Sequence, residues 1–268
     1  MVRWAAQSRP AGISRQTSRS SYRRNIKLTK MTAKQLFQAG QLREAVQALN
    51  AEVRDNPTDA QRRTFLFELL CFAGEYDRAE KQLNVLAQSN KQAELGAVLY
   101  YSALHAMRTR QELFDKQDFP RTRGGGNDYA GTLNGKPFEW IVDADPRIGP
   151  RLELFAAGAY IWIPFEHIIS IELQAPQRLR DLLWAPALVQ TGPGFKDMEL
   201  GEVLIPVTYP SSSKHEDDAV RLGRATAWTQ DEGGDPIPLG QKTFLVDGEE
   251  VPLLEIRKLE FKTADEQV

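Results

Sequence analysis

Residues 39–45 read AGQLREA, and residues 73–79 repeat this pattern as AGEYDRA, 34 positions further along the chain. A leucine follows each copy at the same distance, Leu49 after the first and Leu83 after the second. The shared glycine favours a tight turn between two antiparallel helices, and the shared alanine lets those helices cross closely. A fixed spacing of this kind is typical of stacked helix pairs. The sequence therefore predicts a stack of antiparallel helices in the first part of the chain.

The segments after the first copy extend this stack. Thr58 or Asp59 is placed to cap a helix over about residues 60–73, whose apolar positions have amphipathic spacing. A longer helix is predicted over about residues 92–118, with Arg108 where the turn glycine would recur. We interpret this last helix as a half-repeat that caps the stack. The period of 34 residues is that of tetratricopeptide repeats.

The repeat register also predicts which side chains line the concave face. Some tetratricopeptide proteins grip a C-terminal carboxylate at positions that correspond here to Lys30, Lys34, Phe65, Leu95 and Leu99. Three of these five are apolar, which excludes that clamp. A mixed polar and apolar face instead favours an amphipathic helix laid in the groove. The predicted partner-binding residues are Phe37, Glu68, Cys71, Val98, Ser102 and His105. The alternative is that several of them pack between repeats.

The charged residues are distributed unevenly along the chain. The formal net charge is −2, yet residues 1–30 carry eight Lys and Arg side chains and no acid. The acidic remainder argues against a broad nucleic-acid surface, and no apolar run approaches the roughly 20 residues that span a bilayer. We therefore predict neither a nucleic-acid nor a membrane partner. Residues 1–30 are predicted to be a disordered basic leader, the alternative being a basic arm that binds nucleic acid.

The residue types that carry cofactor or metal chemistry are scarce. Cys71 is the only cysteine, which excludes an intrachain disulfide and a cysteine-based metal cluster and fits a reducing compartment. The glycine run at residues 124–126 lacks the lysine that ends a phosphate-binding loop. No second histidine stands at ligand spacing from the first. The sequence therefore predicts no cofactor and no metal.

The spacing of apolar residues changes in the middle of the chain. Residues 31–120 follow the helical pattern, residues 121–135 form a predicted Gly-rich linker, and residues 136–262 alternate as strands do. Strands are predicted at about 159–165, 168–173, 187–191, 202–208, 242–246 and 252–261, with a short helix at about 179–183. The predicted fold class is α+β, with a helical solenoid followed by a compact, mostly antiparallel β-rich domain.

Six segments of the second half resemble the ImpE family, in the same order along the chain. They are FEWIVDADPRIGP at 138–150, YIWIPFE at 160–166, LRDLLW at 179–184, GEVLIPVTYP at 201–210, RLGRATAW at 221–228 and GQKTFLV at 240–246. The motif residues that we single out are Trp140, Asp143, Asp145, Arg147, Gly149, Trp162, Arg180, Asp181, Trp184, Arg221, Gly223, Arg224 and Trp228. With the helical repeats, the resemblance covers roughly residues 31–261.

The resemblance implies an accessory role in bacterial type VI secretion. TagJ-like members of the ImpE family are associated with the contractile sheath. They bind the N-terminal helix of the small sheath subunit TssB and act through it with the ATPase ClpV. The resemblance thus implies a cytoplasmic, non-catalytic adaptor with an ImpE-type C-terminal domain and these protein partners. The family usually has a longer helical middle than this chain, so a shortened solenoid is also implied.

An enzymatic alternative rests on Asp143 and Asp145, followed in sequence by Glu166 and His167. Two carboxylates two residues apart on a strand share a face, where they can bind a metal or share a proton. That pattern would serve a metal- or acid-dependent hydrolase. Asp145 precedes a proline, however, and Asp-Pro is typical of a turn. No serine stands in a nucleophile elbow either, so we predict that the chain is not an enzyme.

Two binding hypotheses remain open. In the first, the helical groove captures an amphipathic helix of the partner. In the second, the β domain recognises the partner and the repeats serve as a scaffold. Four tryptophans form either an exposed patch or part of the β core: Trp140, Trp162, Trp184 and Trp228. Three arginines either bind an anion or pair with Asp143, Asp145 or Asp181: Arg147, Arg180 and Arg224.

Overall fold

Five α-helices open the described part of the protein. The computed structural model describes residues 31–119, 129–192, 195, 200–231 and 233–262, so the predicted leader and residues 120–128 of the predicted linker lie outside it. The helices are α1 Ala33–Gln38, α2 Leu42–Asp55, α3 Ala60–Phe72, α4 Tyr76–Ala87 and α5 Lys91–Asp115. Helices α1 and α2 form one pair, α3 and α4 form the next, and α5 packs against α4. The predicted tetratricopeptide-like stack is confirmed.

Local sequence sets the ends of these helices. Asp59 and Asn90 cap α3 and α5, each accepting a hydrogen bond from the backbone N–H three residues further on. Gly40 and Gly74 form the turns within the two helix pairs at φ of +78° and +72°. These are left-handed conformations that glycine adopts without strain. The repeated glycine therefore has the turn role predicted for it.

Thirteen strands form three antiparallel sheets in the described residues. They are β1 Gly131–Leu133, β2 Lys136–Phe138, β3 Ile141–Asp143, β4 Arg151–Ala156, β5 Ala159–Pro164, β6 Ile168–Leu173, β7 Trp184–Thr191, β8 Glu202–Pro206, β9 Thr226–Gln230, β10 Pro236–Gly240, β11 Thr243–Val246, β12 Glu249–Pro252 and β13 Lys258–Phe261. The largest sheet has the order β2-β1-β13-β6-β7-β8-β4-β5. Strands β12, β11 and β3 form a second sheet in that order, and β9 and β10 form a hairpin. The predicted α+β class with antiparallel pairing is confirmed.

The strand predictions differ from the structure in several places, since β1, β2, β3, β4, β9 and β10 all lie where no strand is predicted. Strand β4 was not predicted, because Arg151 and Glu153 interrupt its apolar pattern although both side chains are buried. The single strand predicted over 252–261 is two strands, since a 3-10 turn at Leu253–Glu255 separates β12 from β13. The short helix predicted near residue 179 is a 3-10 helix at Leu179–Leu182.

The helices and the sheet share one hydrophobic core. The core that contains the buried faces of α2 and α3 also contains Phe155 of β4, Trp184 of β7 and Leu204 of β8. A second core lies among the strands around Phe165, Ile205 and Phe244. The boundaries proposed for the two domains thus stay a prediction. None of the described helices is long and apolar enough to cross a membrane.

Candidate functional site

The six residues predicted to line one open groove have different surroundings. They are Phe37, Glu68, Cys71, Val98, Ser102 and His105. Glu68 and Cys71 are buried, with 7% and 3% of their surface exposed. Phe37 is half-buried and packs edge-on against Phe65, with ring centroids 5.7 Å apart. The structure therefore corrects the expectation of a single open groove, since these three side chains face other parts of this chain.

The β-rich half covers the concave face at Glu68. Trp184 stacks on Tyr100 of α5 and packs against Phe67 of α3, with ring centroids 6.2 and 6.4 Å apart. Arg180 lies above the ring of Tyr100 and has its Nε 3.5 Å from Glu68 Oε1. Burial raises the pKa of Glu68 to about 7, although the charge of Arg180 lowers it. The face that was expected to receive a partner is thus occupied by this chain's own aromatic side chains.

Cys71 borders a small cavity between the helices and the β-rich half. The cavity has a volume of about 20 Å³, and Arg110, Trp184, Tyr209 and Ser212 also line it. This volume is roughly that of one water molecule, so the cavity is too small for a cofactor. Burial raises the pKa of the Cys71 thiol well above its ordinary value. The cysteine is therefore unsuited to act as a nucleophile.

A buried charge network joins α5 to the strands. Arg110 donates from Nε to Glu153 Oε2 at 2.7 Å and from Nη2 to Glu153 Oε1 at 2.5 Å. Lys242 Nζ lies 2.7 Å from Glu153 Oε1 and also donates to Asp143. Tyr160 donates its hydroxyl to Glu153 Oε2 at 2.7 Å. Two cations and two carboxylates are thus matched in the interior, as buried charges require.

The two central carboxylates of this network differ in how far neighbouring cations offset the effect of burial on their pKa. Burial raises the pKa of Glu153, but the adjacent charges of Arg110 and Lys242 bring it down to about 2. Burial raises the pKa of Asp143 to about 7, with Lys242 opposing that rise. Glu153 therefore carries the negative charge that compensates Arg110.

The proposed hydrolytic carboxylates have structural partners. Asp145 is fully buried and accepts hydrogen bonds from Arg147, Nε to Oδ1 at 2.8 Å and Nη2 to Oδ2 at 2.6 Å. Its backbone N–H donates to Asp143 Oδ1 at 2.9 Å, and its carbonyl closes the turn at Gly149. Among the described residues, no group of three or more His, Cys, Asp or Glu side chains is placed to hold a metal.

The segment around Arg221 binds the first helix pair at the start of α2. Asp218 begins the short helix α6, Asp218–Arg221, and its Oδ2 accepts hydrogen bonds from the backbone N–H groups of Leu42 at 2.7 Å and Arg43 at 3.3 Å. Arg221 Nη1 donates a hydrogen bond to the other carboxylate oxygen of Asp218, Oδ1, at 2.8 Å. A carboxylate at these free N–H groups stabilises the start of α2, where no side chain of the helix itself provides a cap.

Arg224 binds the same helix pair on the other side of its turn, at the end of α1. Its guanidinium donates to the carbonyls of Phe37 at 2.9 Å and Gln38 at 3.3 Å and lies 4.7 Å from the ring centroid of Phe37. A cation at a helix C-terminus interacts favourably with the unpaired carbonyls. Gly223, at φ of +62°, lets the chain turn between the two contacts beside Thr208. The motif thus holds both sides of the turn at Gly40.

The remaining motif residues have different surroundings. Trp184 is buried, Trp140 and Trp162 are half-buried, and Trp228 on the β9–β10 hairpin is 45% exposed. Asp181 accepts hydrogen bonds from the backbone N–H groups of residues 177 and 178. The three arginines considered for anion binding contact Asp145, Glu68 and backbone carbonyls instead. Of the three carboxylates considered as arginine partners, Asp145 pairs with Arg147, whereas Asp181 binds backbone N–H groups.

One face of α5 remains open. Leu95, Val98 and Leu99 are 67%, 58% and 51% exposed. Next along the same helix, Ser102 is half-buried and His105 is exposed. We call these five residues the α5 face. Three of the six predicted groove residues, Val98, Ser102 and His105, are thus brought together on it.

Sequence reasoning missed four residues that join the two halves: Arg110, Glu153, Lys242 and Asp218. Lys242 stands in the last of the six motifs, which gave a weak signal, whereas Glu153 lies between two leucines, a pattern that predicts an outward-facing charge. Arg110 and Asp218 have no comparable signal, because their partners are 43 and 176 residues away in sequence.

Comparisons with known proteins agree with this architecture. Residues 135–260 match the ImpE protein family and residues 36–99 match the tetratricopeptide repeat family. The chain is 33% identical to a Pseudomonas aeruginosa protein described as type VI secretion system accessory component TagJ, over 88% of this chain and 92% of that protein. The crystal structure of protein VPA1032 from Vibrio parahaemolyticus has a similar fold, with a TM-score of 0.74 at 24% identity over 86% of this chain and 97% of that one. The chain belongs to the ImpE/TagJ family of type VI secretion accessory proteins.

Proposed function

We propose that the chain is a non-catalytic, cytoplasmic adaptor that binds a helix of a TssB-like small sheath subunit. Through that helix it modulates sheath assembly or the ClpV-dependent recycling of the sheath. The observation that carries this proposal is the 33% identity to the accessory component TagJ over most of both chains. Tetratricopeptide-like repeats, which characteristically bind other proteins, support a protein partner.

The distribution of exposed apolar residues supports the α5 face as the contact. Leu95, Val98 and Leu99 lie within little more than one helical turn, so they form a contiguous apolar patch. Apolar patches rimmed by polar residues are typical of protein contacts. The buried pairs of Asp143 with Lys242 and of Asp145 with Arg147 support a non-catalytic role, since neither carboxylate is free to meet a substrate.

Binding of the full-length chain to a peptide of the sheath subunit's N-terminal helix tests this proposal. We expect saturable binding by calorimetry, and we expect Val98→Asp to weaken it. Leu188→Asp is the matched control, because Leu188 on β7 is 55% exposed. Absence of binding to the wild-type chain would reject the sheath helix as the partner.

A second candidate is recognition by the β-rich half, with the repeats as scaffold. The observation that favours it is Trp228, which is 45% exposed on the β9–β10 hairpin. Large exposed aromatics often anchor protein contacts. If Trp228→Ala abolishes binding of the sheath peptide while Val98→Asp leaves it unchanged, this second candidate replaces the first.

A further inference from the structure

The outer edge of strand β9 carries backbone groups that no other described strand pairs. Strand β9 is hydrogen-bonded to β10 alone among the described strands. The backbone N–H of Gln241 donates to the carbonyl of Ala225 at 3.3 Å, and that of Asp231 donates to the carbonyl of Asp235 at 2.9 Å. Residues of an antiparallel pair alternate between facing the neighbouring strand and facing away, so the odd-numbered residues of β9 face β10. The residues whose N–H and C=O groups face outward are therefore Thr226, Trp228 and Gln230.

The opposite edge of the hairpin agrees with this alternation. The N–H of Gly240 donates to Ser212 Oγ at 2.8 Å, and its carbonyl accepts a hydrogen bond from the N–H of Tyr209 at 2.9 Å. Gly240 therefore faces away from β9. The next two outward positions of β10 are Pro238 and Pro236, which have no N–H to donate. The outer edge of β10 is thus closed to a further strand, whereas the outer edge of β9 is not.

The other sheet edges of the described residues are protected. Native sheets protect an open edge with proline, with charged side chains or with a covering element, because a bare edge pairs with other chains. Strand β5 packs against α5, and in β3 the N–H of Asp143 donates to the carbonyl of Gly149 at 2.9 Å. Prolines and charged residues stand on the edge strands β2, β10 and β12: Lys136, Pro137, Pro236, Pro238, Glu249 and Glu250. Strand β9 reads Thr-Ala-Trp-Thr-Gln, with neither a proline nor a charge, and its last three residues are exposed.

The outward groups of β9 are complementary to a second copy of the same strand. When two copies pair antiparallel about Trp228, Thr226 of one copy stands opposite Gln230 of the other. Each outward residue then exchanges its N–H and C=O with an outward residue of the second copy. A shift of two residues in either direction leaves outward groups unpaired. The backbone of β9 therefore favours the register that is centred on Trp228.

The side chains favour the same antiparallel arrangement. Arg224 precedes β9 and Asp231 follows it, so antiparallel pairing places the basic end of each copy beside the acidic end of the other. A parallel arrangement would instead bring like charges together, which is unfavourable. Trp228, whose surface is 45% exposed, faces Trp228 of the second copy. Aromatic pairs directly across antiparallel strands are stabilising.

We propose that two copies of this chain associate through the outer edges of their β9 strands, antiparallel about Trp228. The two β9–β10 hairpins then form one continuous sheet. This contact lies on the β-rich half and involves none of the residues of the α5 face. The inference therefore does not depend on the proposed function, and it assigns Trp228 to a contact between copies.

The mass of the full-length chain in solution, measured by sedimentation over a range of concentrations, tests the inference. We expect a reversible dimer. Trp228→Lys and Trp228→Glu should each weaken it roughly tenfold or more, because each loses the aromatic pair and places like charges opposite each other. An equimolar mixture of the two variants should recover association, since opposite charges then meet across the pair. Leu188→Lys, at a 55% exposed position on β7, is the matched control and should leave the dimer unchanged.

A cross-link tests the same register without added charge. Residues of a hydrogen-bonded antiparallel pair have Cα atoms about 5.5 Å apart, which a disulfide can span. Trp228→Cys should therefore form a disulfide between copies, whereas Leu188→Cys should not. The native Cys71 does not compete, because it is 3% exposed. This pair of variants decides the question if circular dichroism shows that a charged variant does not fold.

Each contrary result has a definite meaning. A wild-type chain that is monomeric at every concentration overturns the inference, and so does a dimer that Trp228→Lys leaves intact, because its contact lies elsewhere. If the mixture of charged variants does not recover association, the pairing about Trp228 is rejected. If the wild-type chain is monomeric and Trp228→Lys weakens binding of the sheath peptide, the edge belongs to a different partner. That result overturns the inference and supports the second candidate function.

Discussion

Replacing Arg110 with methionine tests whether the buried charge network joins the helices to the strands. The change keeps much of the side-chain volume and removes two hydrogen bonds to Glu153 and one to the carbonyl of Thr208 at 3.0 Å. It leaves two buried carboxylates, on Glu153 and Asp143, with Lys242 as the remaining cation of the network. Breaking a buried pair from one side costs about 3–5 kcal/mol. At roughly 2–4 °C for each kcal/mol in a chain of this size, the midpoint of thermal unfolding should fall by roughly 10 °C.

The assay is urea unfolding followed by circular dichroism, with Arg108→Met as the matched control. Arg108 lies on the same helix and pairs with Asp77 and Glu80, but its side chain is 31% exposed. Exposed pairs contribute about 0–1 kcal/mol. We therefore expect Arg110→Met to lower the free energy of unfolding by several times the effect of Arg108→Met. Equal losses for the two variants would refute the reasoning, because the network would then contribute no more than a surface pair.

Three further predictions concern the same interface, and the last of them is compared with an open position outside it. Burial raises the pKa of Glu68 to about 7 from an ordinary 4.5, so the folded chain binds a proton at Glu68 more tightly than the unfolded chain does. The stability that this proton contributes is fully present below pH 4.5 and is lost as the pH rises through 7. Urea titrations should show that Glu68→Gln flattens the decline of stability between about pH 5 and 8, and an undiminished decline in that variant would contradict the prediction. Asp218→Ala should cost about 1 kcal/mol by uncapping α2, and an unchanged rate of amide exchange in the first turn of α2 would contradict this. Gly74→Ala should destabilise by about 1 kcal/mol or more, because φ is +72° and the added Cβ would meet the side chain of Ser213. In contrast, Gly96→Ala, with open space around it in a helix, should stabilise by about 0.4–1 kcal/mol in the same urea assay.

The features predicted correctly from sequence are those that depend on neighbours in the chain. Gly40 and Gly74 occupy the predicted helix turns, and β6 spans Ile168–Leu173 as the alternation of its residues indicated. Turn conformation and alternation are local properties, so a single sequence contains them. The order of elements and the antiparallel class follow from the same patterns.

The features that sequence could not predict depend on residues far apart. Glu68 and Cys71 were expected on an open groove because they lie on the concave side of α3, but side chains from the strands bury them. The contact of Asp218 with Leu42 joins positions 176 residues apart, and no local pattern encodes such a pairing. The sequence of the ImpE motifs likewise does not indicate that Arg224 binds the carbonyls at the C-terminal end of α1.

The accessibility of Cys71 tests most directly the central claim that the β-rich half covers the concave face. Cys71 is the only thiol in the chain, it is 3% exposed, and burial raises its pKa. Thiol modification of the native full-length chain should therefore proceed no faster than the chain unfolds. A His105→Cys variant, with its new thiol on the α5 face, should acquire a second thiol that reacts promptly. If Cys71 of the native chain reacts as fast as that new thiol, the concave face is open and the account is contradicted.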